Sequence, residues 1–239
     1  MEKFRQMKLA DIVSKHPAAA ILFEKHRLDY CCKGKQKLEE SCRFDSERIE
    51  VLESELQELM LQEAAQPDPI RLETLPLARL LDYILEIHHH YLKELLPLIQ
   101  CHAERVAVQY SDRHPELREM LCFTAALRQE LEHHLYHQEQ EWFPAIRGQL
   151  NQEYHTLSLG KGIQKLGEEM DISLELMDKL EALTGGFKNP EPGCMMYELF
   201  YQELKTLKED LHQHFYLESH LLFPRAMGLE KQNKAALSN

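Results

Sequence analysis

Two stretches of the chain decide its fold: LEHHLYHQEQEWFP at residues 131–144 and LHQHFYLESHLLFP at residues 211–224. They align without gaps at an offset of 80 residues and share a leucine, a histidine, a tyrosine and a final Phe-Pro. Both lie in regions where apolar residues recur at spacings of three and four, the period of an amphipathic helix. The repeat therefore predicts two corresponding helices.

The rest of the chain extends this helical pattern. Its 239 residues include only 9 glycines and 10 prolines, so few residues break a helix. Four long amphipathic segments, separated by short stretches with glycine, proline or serine, occupy residues 75–108, 114–148, 160–184 and 194–228. Long helices with short connections predict an all-α protein built as an up-down-up-down four-helix bundle.

A smaller helical region precedes the bundle. Short helical segments run to about residue 66, and Pro67 and Pro69 then prevent the last of them from continuing. We expect a small helical domain at 1–66, a linker at 67–74, the bundle at 75–230 and a flexible tail at 231–239.

Charge and composition exclude several classes of function. The net charge of -12 is spread along the chain, which argues against binding to nucleic acid. No apolar stretch is long enough to span a membrane, and the first residues lack the apolar core of a secretory signal, so a cytoplasmic protein is expected. Because thiols stay reduced there, the six cysteines are expected to be free, and four of them to be inert: Cys42, Cys101, Cys122 and Cys194.

Histidines and carboxylates in the repeat predict a metal site. The chain has 14 histidines, an unusually high number, and His214 and Glu218 are four residues apart, so they share one face of a helix. An exposed His–Glu pair is the simple alternative, but the repeated His134 favours an inward-facing site. Imidazole and carboxylate ligands suit iron, manganese or zinc.

Three motifs together resemble the iron–sulfur cluster repair (RIC) family. Leu28-Asp29-Tyr30-Cys31-Cys32-Lys33-Gly34-Lys35 is similar to the family's D-[FY]-C-C-G-G-[KR] motif, and the segments of the repeat are similar to its two H-x-x-x-E segments. The third motif is the histidine of the first long helix, where Asp82 and Pro97 set the register and place His89 on the ligand position. The resemblance covers nearly the whole chain.

This resemblance implies both a fold and a function. It implies a hemerythrin-like bundle with non-haem iron held by His89, His134, His214 and Glu218, and a Cys-Cys domain that transfers iron or contacts a client through Cys31 and Cys32. The implied function is repair of iron–sulfur clusters damaged by nitric oxide or oxidants, with iron–sulfur proteins as partners. A homodimer stays open, and the sequence assigns no catalytic residue.

Two ligand positions depart from the family pattern. Gln138 stands where the first H-x-x-x-E segment has glutamate, and Met170 stands where a third-helix histidine is implied. An amide cannot neutralise cationic charge and a thioether is a poor partner for iron, so we expect a single ion or an asymmetric di-iron centre. At 100° per residue, Glu141 and Glu130 are better substitutes for Gln138 than Glu139, unless a π-bulge intervenes.

The remaining histidines and aromatic residues have simpler expected roles. Neighbouring histidines on a regular helix do not point the same way, so six of them are expected at rims, in loops or in solvent: His88, His90, His133, His155, His212 and His220. His137 lies near the face of His134. The expected bundle core includes Trp142, Phe143, Phe215 and Phe223. In the Cys-Cys motif, Lys33 and Lys35 would favour thiolates; burial of the cysteines as small apolar residues is the alternative.

Two other functions stay open. An iron ion with an open coordination position could reduce nitric oxide or peroxide, which would make the protein a redox enzyme. Alternatively, Gln138 and Met170 could mark a diverged, metal-poor sensor or partner-binding module. Iron content after anaerobic purification separates these possibilities.

Overall fold

A computed structural model describes residues 4–16, 19–30, 33–64, 72–151, 158–188 and 195–237. The described residues form helices and turns and contain no β-strand; Lys8 and Lys37 make one isolated bridge. The α-helices, in chain order, are α1 (Leu9–Lys15), α2 (Ala19–Lys25), α3 (Leu38–Ser41), α4 (Ser46–Ala64), α5 (Leu77–Tyr83), α6 (His90–Tyr110), α7 (Glu116–His137), α8 (Phe143–Leu150), α9 (Leu159–Leu183), α10 (Met195–Tyr216) and α11 (Phe223–Leu237). The prediction of an all-α protein with a small helical region before the bundle is confirmed.

The first compact unit consists of Met1–Pro76 together with His212–Leu222. Backbone hydrogen bonds join the start of α1 to the chain around Gly34, with Ala10 N donating to Gly34 O at 2.9 Å. Gly34 has no room for a side chain, because a Cβ there would lie 2.4 Å from Tyr30 O. The Tyr216 hydroxyl donates to Ala10 O at 2.9 Å, which holds the turn bearing His214 within this unit.

The second compact unit consists of Leu77–Leu211 and Phe223–Asn239. In it α6 packs against α7, α7 against α9, α5 against α8, and α11 against both α8 and α9. The buried faces are largely leucine, since the apolar stripe of each helix turns inward. None of the described helices is long and apolar enough to cross a membrane.

Three of the long helices widen into a π-helical turn. These turns are Ile84–His89 between α5 and α6, Gln138–Trp142 between α7 and α8, and Leu217–Leu222 between α10 and α11. A π-helical turn inserts one extra residue, which rotates the side chains that follow it relative to a regular helix, and such turns are frequent at functional sites. All three turns carry or adjoin predicted metal ligands.

The last helix continues further than expected. Residues 231–237 were predicted to belong to a flexible tail, but α11 extends to Leu237. Asn233 Nδ2 donates to Gln149 O at 2.9 Å, and Lys234 Nζ lies 2.8 Å from Glu230 Oε1. These contacts hold the segment against α8 and within its own helix, which is why it stays helical.

Candidate metal centre

His89 is buried and oriented by a carboxylate from the second long helix. Its side chain is 1% exposed, and its Nδ1 lies 2.8 Å from Glu139 Oε1, so the imidazole donates to the carboxylate. The ring also stacks on Phe143, with ring centroids 5.3 Å apart. Burial raises the pKa of Glu139, but hydrogen bonds from Lys93 and His89 outweigh it and lower that pKa. Glu139 is therefore an ionised partner that fixes His89.

His134 is held in the same manner by the third long helix. It is fully buried, and its Nδ1 lies 3.1 Å from Glu169 Oε2. Burial raises the pKa of Glu169, but hydrogen bonds from His134 and His137 outweigh it and lower the pKa to about 2. A carboxylate on the outer nitrogen of a histidine is the usual support of a metal ligand, because it fixes the ring and makes the other nitrogen more basic.

His214 and Glu218 form the complete copy of the repeat. Both side chains are 0% exposed, and His214 Nε2 lies 2.9 Å from Glu218 Oε1. His214 ends a regular helical stretch, whereas Glu218 lies in the π-helical turn that follows. The simple alternative of an exposed His–Glu pair is thus wrong.

One group of side chains within the second unit has the spacing of a metal site: one ligand atom each of His133, His137 and Glu169 lies within 4.8 Å of the others. The four predicted ligands are all buried, His89 and His134 in the second unit and His214 and Glu218 in the first, and we call these four residues the buried group.

The two departures from the family pattern lie in the core. Gln138 is fully buried at the start of its π-helical turn, and Met170 is 4% exposed on α9. Glu141 and Glu130 were expected to be better substitutes for the missing carboxylate than Glu139 unless a π-bulge intervened; a π-helical turn is present, Glu141 is exposed and Glu130 is partly exposed. Glu139 instead reaches His89, because the π-helical turn changes the direction that regular helix geometry assigns to it.

The sequence also misplaced one histidine and missed three carboxylates. His88 was expected at a rim, but it is 3% exposed, and its Nδ1 lies 2.9 Å from Asp210 Oδ1. Two neighbouring histidines can both be buried here because they lie in a π-helical turn. Sequence reasoning gave no partner role to the three carboxylates that hold buried histidines: Glu139, Glu169 and Asp210. The feature of the sequence that could have identified Glu169 was its position beside Met170 on an apolar face.

The other predicted positions have varied surroundings. His90 and His133 are exposed, and His212 and His220 are partly exposed, while His155 lies outside the described residues. Trp142 and the three phenylalanines are in the core as expected: Phe143, Phe215 and Phe223. Cys42 is buried, and burial raises the pKa of its thiol, which disfavours the reactive thiolate. Cys101 is partly exposed, Cys122 is exposed and Cys194 lies outside the described residues.

Cys31 and Cys32 also lie outside the described residues, but their neighbours are well defined. Tyr30 is buried, and its ring centroid lies 5.6 Å from that of Tyr216 and 6.3 Å from that of His212. On the other side of the motif, a Cβ on Gly34 would lie 2.7 Å from His220 Nε2. The chain on both sides of the Cys-Cys motif therefore contacts the helix turn that carries His214 and Glu218.

Comparisons with known proteins agree with this arrangement. Residues 80–234 match the hemerythrin HHE cation-binding domain, and residues 5–60 match ScdA_N, a domain of unknown function. The chain is 30% identical over 227 residues to the iron-sulfur cluster repair protein YtfE of Citrobacter koseri, covering 95% of this chain and 99% of that protein. Identity and coverage are the same for YtfE of Escherichia coli O17:K52:H18 and of Enterobacter sp. strain 638.

The matched cation-binding domain and its groups of histidine and carboxylate side chains, which could hold a metal ion, indicate non-haem iron as the cofactor, as the sequence predicted. The small N-terminal region and the bundle correspond to the two matched domains in the same order. The chain therefore belongs to the hemerythrin HHE family and, within it, to the iron-sulfur cluster repair proteins.

Proposed function

We propose that this protein binds non-haem iron and helps to repair iron–sulfur clusters damaged by oxidative or nitrosative stress. The observation that carries the proposal is the buried pair of His214 and Glu218, whose side chains are 0% exposed and whose Nε2 and Oε1 atoms lie 2.9 Å apart. Proteins more than nine-tenths covered by this chain, at 30% identity, are named for this repair function. Iron–sulfur proteins are accordingly the proposed clients, and the cytoplasm is the proposed location.

The donor set fits iron. Imidazole nitrogens and a carboxylate oxygen suit ferrous and ferric ions, whereas a thiolate-rich set would favour an iron–sulfur cluster. We assign His89, His214 and Glu218 as ligands and His134 as a further ligand. Only one of these four side chains is anionic. Two iron ions held close together would carry more positive charge than a single carboxylate can offset. We therefore propose one iron per chain or an asymmetric pair.

Carboxylates outside the ligand set orient two of its histidines for metal binding. Glu139 and Glu169 accept hydrogen bonds from Nδ1 of His89 and of His134, which leaves Nε2 of each ring as the nitrogen for the metal. Iron, when bound, supplies ligand exchange and electron transfer. Leu131 and Leu135 are buried on the same helix as His134, so this part of the site is shielded from water.

The Cys-Cys motif is the proposed point of contact with the client. Thiolates bind iron and exchange with other thiolates, so Cys31 and Cys32 would grip the damaged cluster or receive its iron. Supporting this role, Tyr30 packs on Tyr216, two residues from both His214 and Glu218 along the chain. Iron bound by His214 and Glu218 would thus be held by a segment that the Cys-Cys region itself contacts.

Anaerobic reconstitution with ferrous iron tests the proposal. Elemental analysis of the wild-type chain is expected to find iron bound, and the loaded protein is expected to restore the activity of an iron–sulfur enzyme inactivated by nitric oxide. His214→Ala should lose both properties, and the Cys31→Ser, Cys32→Ser double variant should keep its iron but lose repair. His90→Ala is the matched control, since His90 is an exposed histidine outside the ligand set. Light scattering of the same samples separates a monomer from a homodimer.

A metal-poor binding module is the second candidate, and the buried Gln138 and Met170 favour it. Two of the six ligand positions implied by the family pattern carry these neutral side chains, and both are in the core. A wild-type chain that binds no iron under these anaerobic conditions would select this alternative and overturn the repair proposal. Turnover of nitric oxide by the loaded protein, lost in His214→Ala, would instead indicate a redox enzyme.

A further inference from the structure

A second cluster of ligand-type side chains lies on the outer surface of α7 and α9. His133 and His137 are four residues apart on α7, and their ring centroids are 3.9 Å apart. Glu169 of α9 faces both: its Oε1 lies 3.1 Å from His137 Nδ1 and 3.6 Å from His133 Nδ1. Two histidines from one helix and a carboxylate from its neighbour thus converge on one point.

The cluster is rigid at its inner end and open at its outer end. Glu169 and His137 have side chains that are 8% and 13% exposed, whereas His133 is 51% exposed. The second oxygen of Glu169 is fixed by His134 at 3.1 Å. Since two ligands are held in place and the third faces water, an ion could enter from solvent and complete its coordination with water molecules.

We propose that His133, His137 and Glu169 form a surface site for a first-row divalent cation such as zinc or cobalt, separate from the buried group. The ligand atoms lie within 4.8 Å of one another, close enough for one ion to contact all three. Two imidazoles and one carboxylate are a common ligand set for these ions, with the open positions filled by water.

Electrostatics supports a cation at this point. The ammonium group of Lys165 already lies nearby, 3.8 Å from Glu169 Oε1 and 3.3 Å from His137 Nδ1. A positive group therefore occupies the position beside the ligands, which shows that the local field favours positive charge.

Lys165 also makes a distinctive prediction, because a metal ion would have to displace it. Its side chain is 52% exposed, so it can move into solvent at little cost. Replacing Lys165 with methionine removes this competition. If the surface site exists, Lys165→Met should bind the ion more tightly than the wild-type chain does.

Cobalt(II) titration of the full-length, iron-loaded protein tests the site. The visible absorption of cobalt reports its coordination by nitrogen, and iron keeps the buried ligands occupied. The wild-type chain is expected to bind one cobalt ion per chain, His133→Ala to bind it at least about tenfold more weakly, and Lys165→Met to bind it more tightly. The control His90→Ala removes another exposed histidine, one that pairs with Glu94 of its own helix.

Each outcome decides the matter. Equal cobalt affinity in the wild type and in His133→Ala overturns the proposal, as does an equally large loss in His90→Ala. Because His133 is exposed, its substitution should not disturb the fold, and an unchanged iron content in His133→Ala confirms that the buried group is intact. The surface site can therefore fail while the proposed iron function stands, and the reverse also holds.

Discussion

The two copies of the repeat share their backbone but differ in the partners of their histidines. His134 and His214 are both fully buried, each is followed by a π-helical turn, and a buried phenylalanine comes directly after each turn. In the second copy, the partner of His214 is Glu218, four residues later on the same helix. In the first copy that position is Gln138, and His134 is held by Glu169 of a different helix.

This difference shows how a duplicated site becomes asymmetric without losing its fold. The burial depends on apolar spacing, which both copies retain, and a π-helical turn is present in both. The charge depends on a single position, where glutamate in one copy corresponds to glutamine in the other. The conserved tyrosine differs as well: Tyr216 is buried and donates to Ala10 O, whereas Tyr136 is 61% exposed. The second copy therefore carries the anionic ligand and the better-fixed helix turn.

The largest effect is expected when the histidine of each copy is removed in turn. His214→Ala deletes a member of the buried metal group and should weaken ferrous iron binding by more than about 100-fold, because loss of a ligand exceeds the effect of losing an outer partner. His134→Ala should weaken binding less, by about tenfold, since the first copy has the neutral Gln138 where the second has the anionic Glu218 beside its histidine. Competition with a chromogenic chelator under anaerobic conditions measures both.

Circular dichroism of the metal-free variants is the control for this pair, since both substitutions leave a cavity of the same size. Equal losses of iron affinity in the two variants would show that the copies contribute alike, which contradicts the asymmetry.

Restoring the carboxylate of the first copy is the next test. Gln138→Glu gives both copies the same H-x-x-x-E pattern, and the added anionic oxygens should allow a second iron to bind, raising the iron content from one to two per chain. Without metal the variant should be less stable, because position 138 is fully buried and an unpaired carboxylate there is costly. Elemental analysis measures the first effect and thermal unfolding the second. Two irons in the wild-type chain would make the substitution redundant and would select the asymmetric pair over the single ion.

The same comparison shows which features the sequence could predict. Apolar spacing in the two copies predicted the helices and the burial of His134, His214 and Glu218, because burial of a helix face follows directly from periodicity. Sequence spacing did not predict the π-helical turns, since it assumes 100° per residue throughout. Two differences at the site follow from that assumption: the burial of His88 and the contact of Glu139 with His89.

Partners on other helices were beyond sequence reasoning for a different reason. The contact of Glu169 with His134 depends on how α7 and α9 are aligned along their length, and amphipathic spacing fixes the faces that meet but not this alignment. The contact of Asp210 with His88 has the same origin. The position of a residue along its own helix therefore predicted which histidines are buried better than it predicted which carboxylates contact those histidines.

A smaller effect is expected from packing next to the first π-helical turn. Trp142 lies at the position that Leu222 occupies in the other copy, and it packs on Gly162 of α9. A Cβ on Gly162 would lie 2.1 Å from Trp142 Cζ3, so Gly162→Ala forces the indole to move and should destabilise the protein by about 1–3 kcal/mol. Chemical denaturation followed by tryptophan fluorescence measures this loss, because Trp142 is the single tryptophan of the chain.

Gly167→Ala is the matched control on the same helix. Nothing lies within 4 Å of a Cβ at that position, and alanine is favoured over glycine within a helix by about 0.5–1 kcal/mol. The two substitutions should thus have opposite signs. A destabilising effect of Gly167→Ala would show that α9 does not tolerate alanine in general, which removes the special role of Trp142.

The smallest effect concerns two cationic residues at equivalent positions, each three residues before its copy of the repeat: Arg128 on α7 and Lys208 on α10. Arg128 pairs with Glu132 of its own helix at the surface, whereas Lys208 is 16% exposed and lies 2.9 Å from Asp178 and 2.8 Å from Glu181. Lys208→Met should therefore cost about 1 kcal/mol of unfolding free energy, and Arg128→Met less than about 0.5 kcal/mol. Urea unfolding at neutral pH measures the difference.

The pH dependence distinguishes this ion pair from simple loss of packing. Burial lowers the pKa of Lys208, but hydrogen bonds to Glu181 and Asp178 outweigh it and raise the pKa above its ordinary value of 10.5. A raised pKa means that the stabilisation is fully present below pH 10.5 and is lost as the pH rises through the folded-state pKa. The gap in stability between wild type and Lys208→Met should then stay constant through neutral pH and shrink only in strong alkali. If the stability difference does not shrink in alkali, the methylene groups of Lys208, rather than its charge, stabilise α10.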